Sequence, residues 1–175
     1  MKRDAKKLFV FSVMITLIIL MVSCSVKEGQ ERSVEQVGEL KVRAANHLEN
    51  NKPSKLVDNN METFWHSNQP PGNFGWVAIS YDEGFAASKY TIARRSEVSS
   101  QAPVEFILEG ASTTDFPNNR GKWEIIDKQE NQTWKDTNIK TYTIKQPKKF
   151  KHYRLRIIRT GDGAFASIAE WRLEK

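Results

Sequence analysis

Five short runs set the limits of what this chain can fold into: WVAIS (76–80), KYTIARR (89–95), VEFILEG (104–110), KTYTIK (140–145) and HYRLRIIRT (152–160). All are rich in β-branched and aromatic residues, which suit a pleated, half-buried surface. Several alternate, so that Tyr90 with Ile92, and Tyr153 with Leu155 and Ile157, share single faces. Clusters of Gly, Pro, Asn and Asp (QPPGN, DEG, DFPNNRG, TGDG) separate them as turns do. After residue 50 no apolar period predicts a helix of about 12 residues or more, and there is no internal repeat. The pattern predicts an antiparallel all-β domain, a sandwich or a barrel.

What comes first in the chain is of another kind. Lys2, Arg3, Lys6 and Lys7 precede a continuous apolar run of 15 residues, Leu8 to Val22. That is the length of a secretory signal core and short of the roughly 20 residues of a comfortable membrane span. The run ends in MVSC, and Cys24 is the only cysteine. This ending resembles the bacterial lipobox, with Met21 where Leu is more usual. The resemblance implies a lipoprotein signal peptide over 1–23, lipidation of Cys24, and a chain exported from the cytoplasm and lipid-anchored at the bacterial cell envelope. An ordinary signal peptide or an uncleaved anchor is the alternative. SVKEGQERSVEQVGE then reads as a flexible tether over 24–39, with room for a short helix from Val34, and a domain over 40–175. Four basic residues and Asp4 leave with the signal, so about half of the net charge of +6 remains. So weak and dispersed an excess argues against nucleic acid. With its one thiol spent on lipid the domain has no disulfide framework, and it must be held by its core or a metal.

The motifs themselves carry a second likeness. SKLVDNNMETFWHS, GWVAIS, YTIARR, APVEFILEGAS with KWEIID behind it, HYRLRI and the closing IAEWRLEK follow in that order. Together they resemble the F5/8 type C (discoidin) family, which includes the family 32 carbohydrate-binding modules, over residues 40 to 175. The resemblance implies a galactose-binding-like jelly-roll β-sandwich of about eight antiparallel strands.

The stretch SKLVDNNMETFWHS (54–67) sets many oxygen donors beside aromatic surface. It is no EF-hand: Thr63 and Gln69 stand where that loop needs Gly and Glu. The resemblance implies instead one structural Ca²⁺. Its ligands would be the carbonyls of Lys55, Asn60, Thr63 and Ala169, the Thr63 hydroxyl, and the carboxylates of Asp58 and Glu170. A hard cation is matched by such a mixed oxygen set. Asn59 replaces the family's common Gly and is one of the few residues that accepts a left-handed backbone there. The alternative is a cation-free turn in which Asp58 accepts from backbone amides. Trp65, Trp76, Trp123 and Trp171 are expected in the core, whereas the turn-like ENQTWKD leaves both burial and exposure open for Trp134.

Catalysis finds no footing. There are three histidines and one cysteine, and no Ser/His/Asp order, HExxH or Gly-rich phosphate loop. No motif nominates a pair of glycosidase carboxylates. The expectation is a non-enzymatic binding module. By the resemblance, His66, Arg95 and Phe165 match the sugar-binding pattern, whereas Gln69 and Ser100 occupy positions where relatives carry an aromatic and an Asn. Arg94 replaces Arg95 if the strand register slips by one. An aromatic ring suits a pyranose's apolar face, and Arg suits vicinal hydroxyls. The implied partner is a glycan. A protein-interaction or scaffold role in the envelope, through the loop QPPGNFGW (69–76) with Phe74, is the alternative. Phospholipid binding by the same loop ranks last.

Overall fold

The computed structural model describes residues 34–71, 75–115 and 120–175. Its strands in chain order begin with β1 (Glu35–Val37), β2 (Leu40–Ala44), β3 (Trp65–His66), β4 (Trp76–Ala86) and β5 (Lys89–Ala93). There follow β6 (Pro103–Ala111), β7 (Thr114–Asp115), β8 (Arg120–Gly121) and β9 (Glu124–Gln129). The series closes with β10 (Ile139–Thr143), β11 (Lys149–Thr160), β12 (Ser167–Ile168) and β13 (Glu170–Glu174). Eight of these have five residues or more, and every pairing is antiparallel. The only helical pieces among the described residues are two 3-10 turns, Pro53–Leu56 and Ser99–Gln101.

A six-stranded sheet, in the order β1-β2-β4-β11-β6-β9, faces a three-stranded one, β10-β5-β13. The alternation seen in the sequence supplies the core between them. Val42, Val77, Ile79, Phe106, Leu108, Tyr153, Leu155 and Ile157 meet Tyr90, Ile92 and Trp171, all of them out of contact with solvent. Each such side chain contributes about 1.5–3 kcal/mol by its burial. Trp65 and Leu56 fill the end where β3 pairs with β12. This is an all-β jelly-roll sandwich.

Three details depart from the sequence reading, and one that it left open is decided. Glu35–Val37 pairs with Leu40–Val42 across a turn at Gly38, so ordered structure begins ahead of Leu40, and the residues after Val34 form a strand rather than a helix. Asp82-Glu83-Gly84 is no turn but the middle of β4, because a glycine there lets the strand pass the Phe150 backbone, 3.0 Å from where a Cβ would stand. Trp134 is buried, its indole N–H donating to the Pro103 carbonyl at 2.7 Å. Trp123 is only half-buried: it lies on the outer face of the six-stranded sheet, 4.3 Å beneath the Arg154 guanidinium. Cys24, the apolar run before it, and Gly72–Phe74 of the 69–76 loop lie outside the described residues.

The seam between β9 and β10 is closed by polar aromatics. Tyr90 and Tyr142 stack at 4.9 Å. The Tyr90 hydroxyl donates to Asp127 at 2.7 Å, and Gln132 accepts from the Tyr142 hydroxyl and the Lys140 amine.

Candidate functional site

The two-residue ladder of β3 and β12 builds one end of the sandwich. Ser167 stands opposite His66 and Ile168 opposite Trp65. Strand alternation then sends Trp65 and Ile168 into the core and puts His66 on the opposite face, where it is 8% exposed. The ladder is extended at Ser67, whose N–H donates to the Ala166 carbonyl and whose hydroxyl accepts from the Ala166 N–H, both at 2.9 Å. This fixes the Phe165 ring 5.4 Å from the His66 imidazole, at 41°. Phe64, two residues back on the same face, lies 6.4 Å from His66 and carries the Arg95 guanidinium 4.2 Å above its ring.

Three of the expected residues, His66, Arg95 and Phe165, are thus brought together, with Phe64 as the link. His66 Nδ1 lies 2.5 Å from the Ser67 carbonyl. A carbonyl only accepts, so Nδ1 carries a hydrogen, and in the neutral ring Nε2 is left as the acceptor. Arg95 pairs with Glu97 at 2.9 Å, and its Nε, buried, has no partner among the described residues. Arg94 is spent on the backbone, donating to the carbonyls of Thr137, Arg95 and Ser96. The arginine of this end is therefore Arg95. Ser100 sits one step away: its hydroxyl donates to Asp162 at 3.3 Å, and its carbonyl accepts the Asp162 N–H at 2.9 Å. Those bonds lay the loop that leads to Phe165 against the turn at Ser99–Gln101. Gln69 is exposed, and no contact among the described residues joins it to the cluster.

Beside this cluster lies the oxygen-rich turn. Asn59 has φ 61°, the left-handed backbone its side chain tolerates. The turn aims the Asn60 N–H at two carboxylates at once, Asp58 at 3.0 Å and Glu170 at 3.1 Å. The Thr63 hydroxyl lies 2.7 Å from Asp58 and 3.1 Å from the Asn60 carbonyl. Ala169 is tied to the end of β5, its N–H donating to Ala93 at 2.8 Å. Glu170 is buried, and that burial, helped by the Asp58 charge, pushes its carboxyl above the usual carboxylate range against the pull of Arg172 and the Asn60 N–H. Lys55 and Arg172 stand 3.5 and 3.3 Å from Asp58 and Glu170. The gathering of hydroxyl, carbonyl and two carboxylates suits a hard cation. Among the described residues no three His, Cys, Asp or Glu side chains converge, so any such ion must draw on backbone oxygens.

Sequence reasoning missed Phe64, Ser67, Glu97 and Asp162. Phe64 had a signal in its spacing, two residues from His66 on one face of a strand. The others act through loops whose approach only the folded backbone sets.

A galactose-binding-like jelly roll with a His–Arg–aromatic cluster at the end of its β3–β12 ladder defines the class. The fold is that of the family 32 carbohydrate-binding modules. The chain is similar to such a module from Clostridium perfringens NanJ, solved with galactose, at 20% identity and TM-score 0.63, over 77% of this chain and 93% of that one. A module of a C. perfringens family 89 glycoside hydrolase, solved with GalNAc-β-1,3-galactose, aligns at 19% identity and TM-score 0.65, over 79% and 96%. A third, CBM32-3 of a C. perfringens family 31 glycoside hydrolase, aligns at 15% and 0.66, over 78% and 90%. Against the whole family 89 enzyme the match covers 14% of that chain. No protein-family model and no curated protein sequence matches.

Proposed function

We propose that the protein is a non-catalytic binding module that captures carbohydrate at the end of the sandwich carrying His66, Arg95 and Phe165. The observation that carries this reading is the Phe165 ring, 36% exposed and braced at 5.4 Å by His66. A sugar's apolar face stacks on such a ring. His66 Nε2 accepts from one hydroxyl, and the Arg95 guanidinium, steadied on Phe64, donates to a neighbouring one. Ser100 acts on the sugar only through Asp162, by holding the Phe165 loop. Gln69 has no part in this reading. The solved relatives in complex with galactose and GalNAc-β-1,3-galactose support a galactose-type ligand.

The neighbouring turn is proposed to hold one structural Ca²⁺. Asp58 and Glu170 would hold it with the Thr63 hydroxyl and the carbonyls of Lys55, Asn60, Thr63 and Ala169. Bound there, the ion supplies a fixed double positive charge between the turn and the last strand. The lipid anchor at Cys24 and an envelope location complete the reading: a tethered lectin-like module.

Titration with galactose and GalNAc-β-1,3-galactose, guided by a glycan array, tests the sugar site. Phe165→Ala and His66→Ala are each expected to weaken binding by about tenfold or more while the fold persists. An array without hits, or binding indifferent to both substitutions, would overturn the reading.

A further inference from the structure

Beyond the end of β5 the Arg94 guanidinium donates to the carbonyls of Arg95 and Ser96 at 2.8 and 2.7 Å. Those bonds hold the short stretch across which Glu97 reaches back to Arg95, with Oε2 2.9 Å from Nη2. The same guanidinium lies over Phe64, which leads through His66 to Phe165, so the ion pair stands at the edge of the aromatic cluster. Neither partner is used up. The Glu97 side chain is 74% exposed, and its Oε1 accepts from no group among the described residues. A guanidinium has five N–H donors, and Glu97 takes one of those on Arg95. An exposed pair of this kind adds little to stability. What it presents outward is a donor and an acceptor side by side.

We propose, resting on the sugar reading above, that this pair recognises a vicinal diol: Arg95 donates to one ring hydroxyl, and Glu97 accepts from the next. Glu97 is then a specificity-determining residue that touches the ligand. A hydroxyl both donates and accepts, and neighbouring gauche hydroxyl oxygens on a pyranose are spaced much as the two partners are here. Charge points the same way. Glu97 cancels the arginine, and the loop leading to Phe165 adds Asp162. That carboxylate takes neutral donors from Ser100, Thr160 and Ala164 and joins no ion pair among the described residues. An anionic sugar finds no spare cation in this set. The ligand is a neutral sugar with two adjacent hydroxyls unsubstituted.

Titration of the full chain with galactose and its 2-, 3- and 4-deoxy derivatives is the test. Glu97→Ala is expected to weaken galactose binding about tenfold, and to cost nothing against the one derivative that lacks its hydroxyl. The loss in Arg95→Ala should vanish instead against the derivative lacking the neighbouring hydroxyl. Glu97→Gln, which keeps an acceptor oxygen, should recover part of the affinity. Because Glu97 is exposed, its variants keep the fold, which their melting curves check. Unchanged affinity in Glu97→Ala would overturn the proposal. So would coupling of both variants to the same hydroxyl, which would make Glu97 a positioning residue for Arg95, or tighter binding of galacturonic acid than of galactose. Those outcomes leave the sugar reading standing, whereas a parent that binds no galactose overturns both.

Discussion

His152 shows what one residue reports about this fold. It stands on the outer face of the six-stranded sheet with Nδ1 2.8 Å from the Ser80 hydroxyl. Burial, then the charges of Lys151 and Lys41, hold its imidazole below the ordinary value of 6.5. A group of lowered folded-state pKa binds its proton more readily when the chain is unfolded, so stability is full above pH 6.5 and falls as pH drops through that value. Urea unfolding at about pH 7.5 and about pH 5.5 should show the loss, and His152→Gln should flatten it. An unchanged slope in the variant would assign the acid sensitivity elsewhere. At this scale the sequence was a fair guide to types and a poor one to contacts. His66, Arg95 and Phe165 were legible because a motif placed them, and the structure sets them in one cluster. The spacing of Phe64 hinted at a shared face with His66, but its hold on Arg95 was not legible, because that arginine lies far along the chain and only folding brings the two together. Gln69, nominated with them, joins nothing in the cluster.

Elements were legible wherever alternation was clean, as in β5 and β11. They were obscured where a glycine served packing instead of turning. Gly84 carries β4 past Phe150, and Gly110 in β6 does the same on the other side. A Cβ at 110 would lie 2.4 Å from the Phe150 ring. Gly110→Ala therefore forces that buried ring aside and is expected to cost about 1–3 kcal/mol in denaturant unfolding. A near-neutral result would mean that Phe150 has a second rotamer to occupy. The outer face makes a companion case. Glu109, buried, takes the Arg154 guanidinium at 2.6 Å and that of Arg156 at 3.3 Å. Glu109→Ala strands those two charges, and about 3 kcal/mol should be lost.

For the molecule as a whole, the class was legible from strand composition and turn spacing, whereas the order in which strands pair was not, since nothing local in β11 says that it will lie between β4 and β6. The oxygen-rich turn belongs to this scale too, because Asp58 and Glu170 join the first third of the chain to its last strand. If calcium bridges them, melts in EDTA and in calcium should differ by several degrees, roughly the shift that 1 kcal/mol produces in a domain of this size. Asp58→Ala and Glu170→Ala should abolish that difference, and a calcium effect that survives both would place the ion elsewhere. Glu170→Gln should lose the calcium response yet melt no lower than the parent in EDTA at neutral pH, since it removes a buried charge.

The pairing of β3 with β12, and of β5 with β13, has a consequence for how the protein comes into being. The residues proposed to meet a sugar are distant in sequence, His66 and Arg95 preceding Phe165 by about 70 residues or more, and β5 waits for β13 to flank it. A nascent chain on the ribosome accordingly holds half of the proposed site and a sheet with a missing side until residues 165–174 have emerged. Contacts so distant along the chain fold slowly. Affinity for such a ligand should therefore arrive abruptly, once Phe165 and β13 have cleared the exit tunnel, and not grow with chain length.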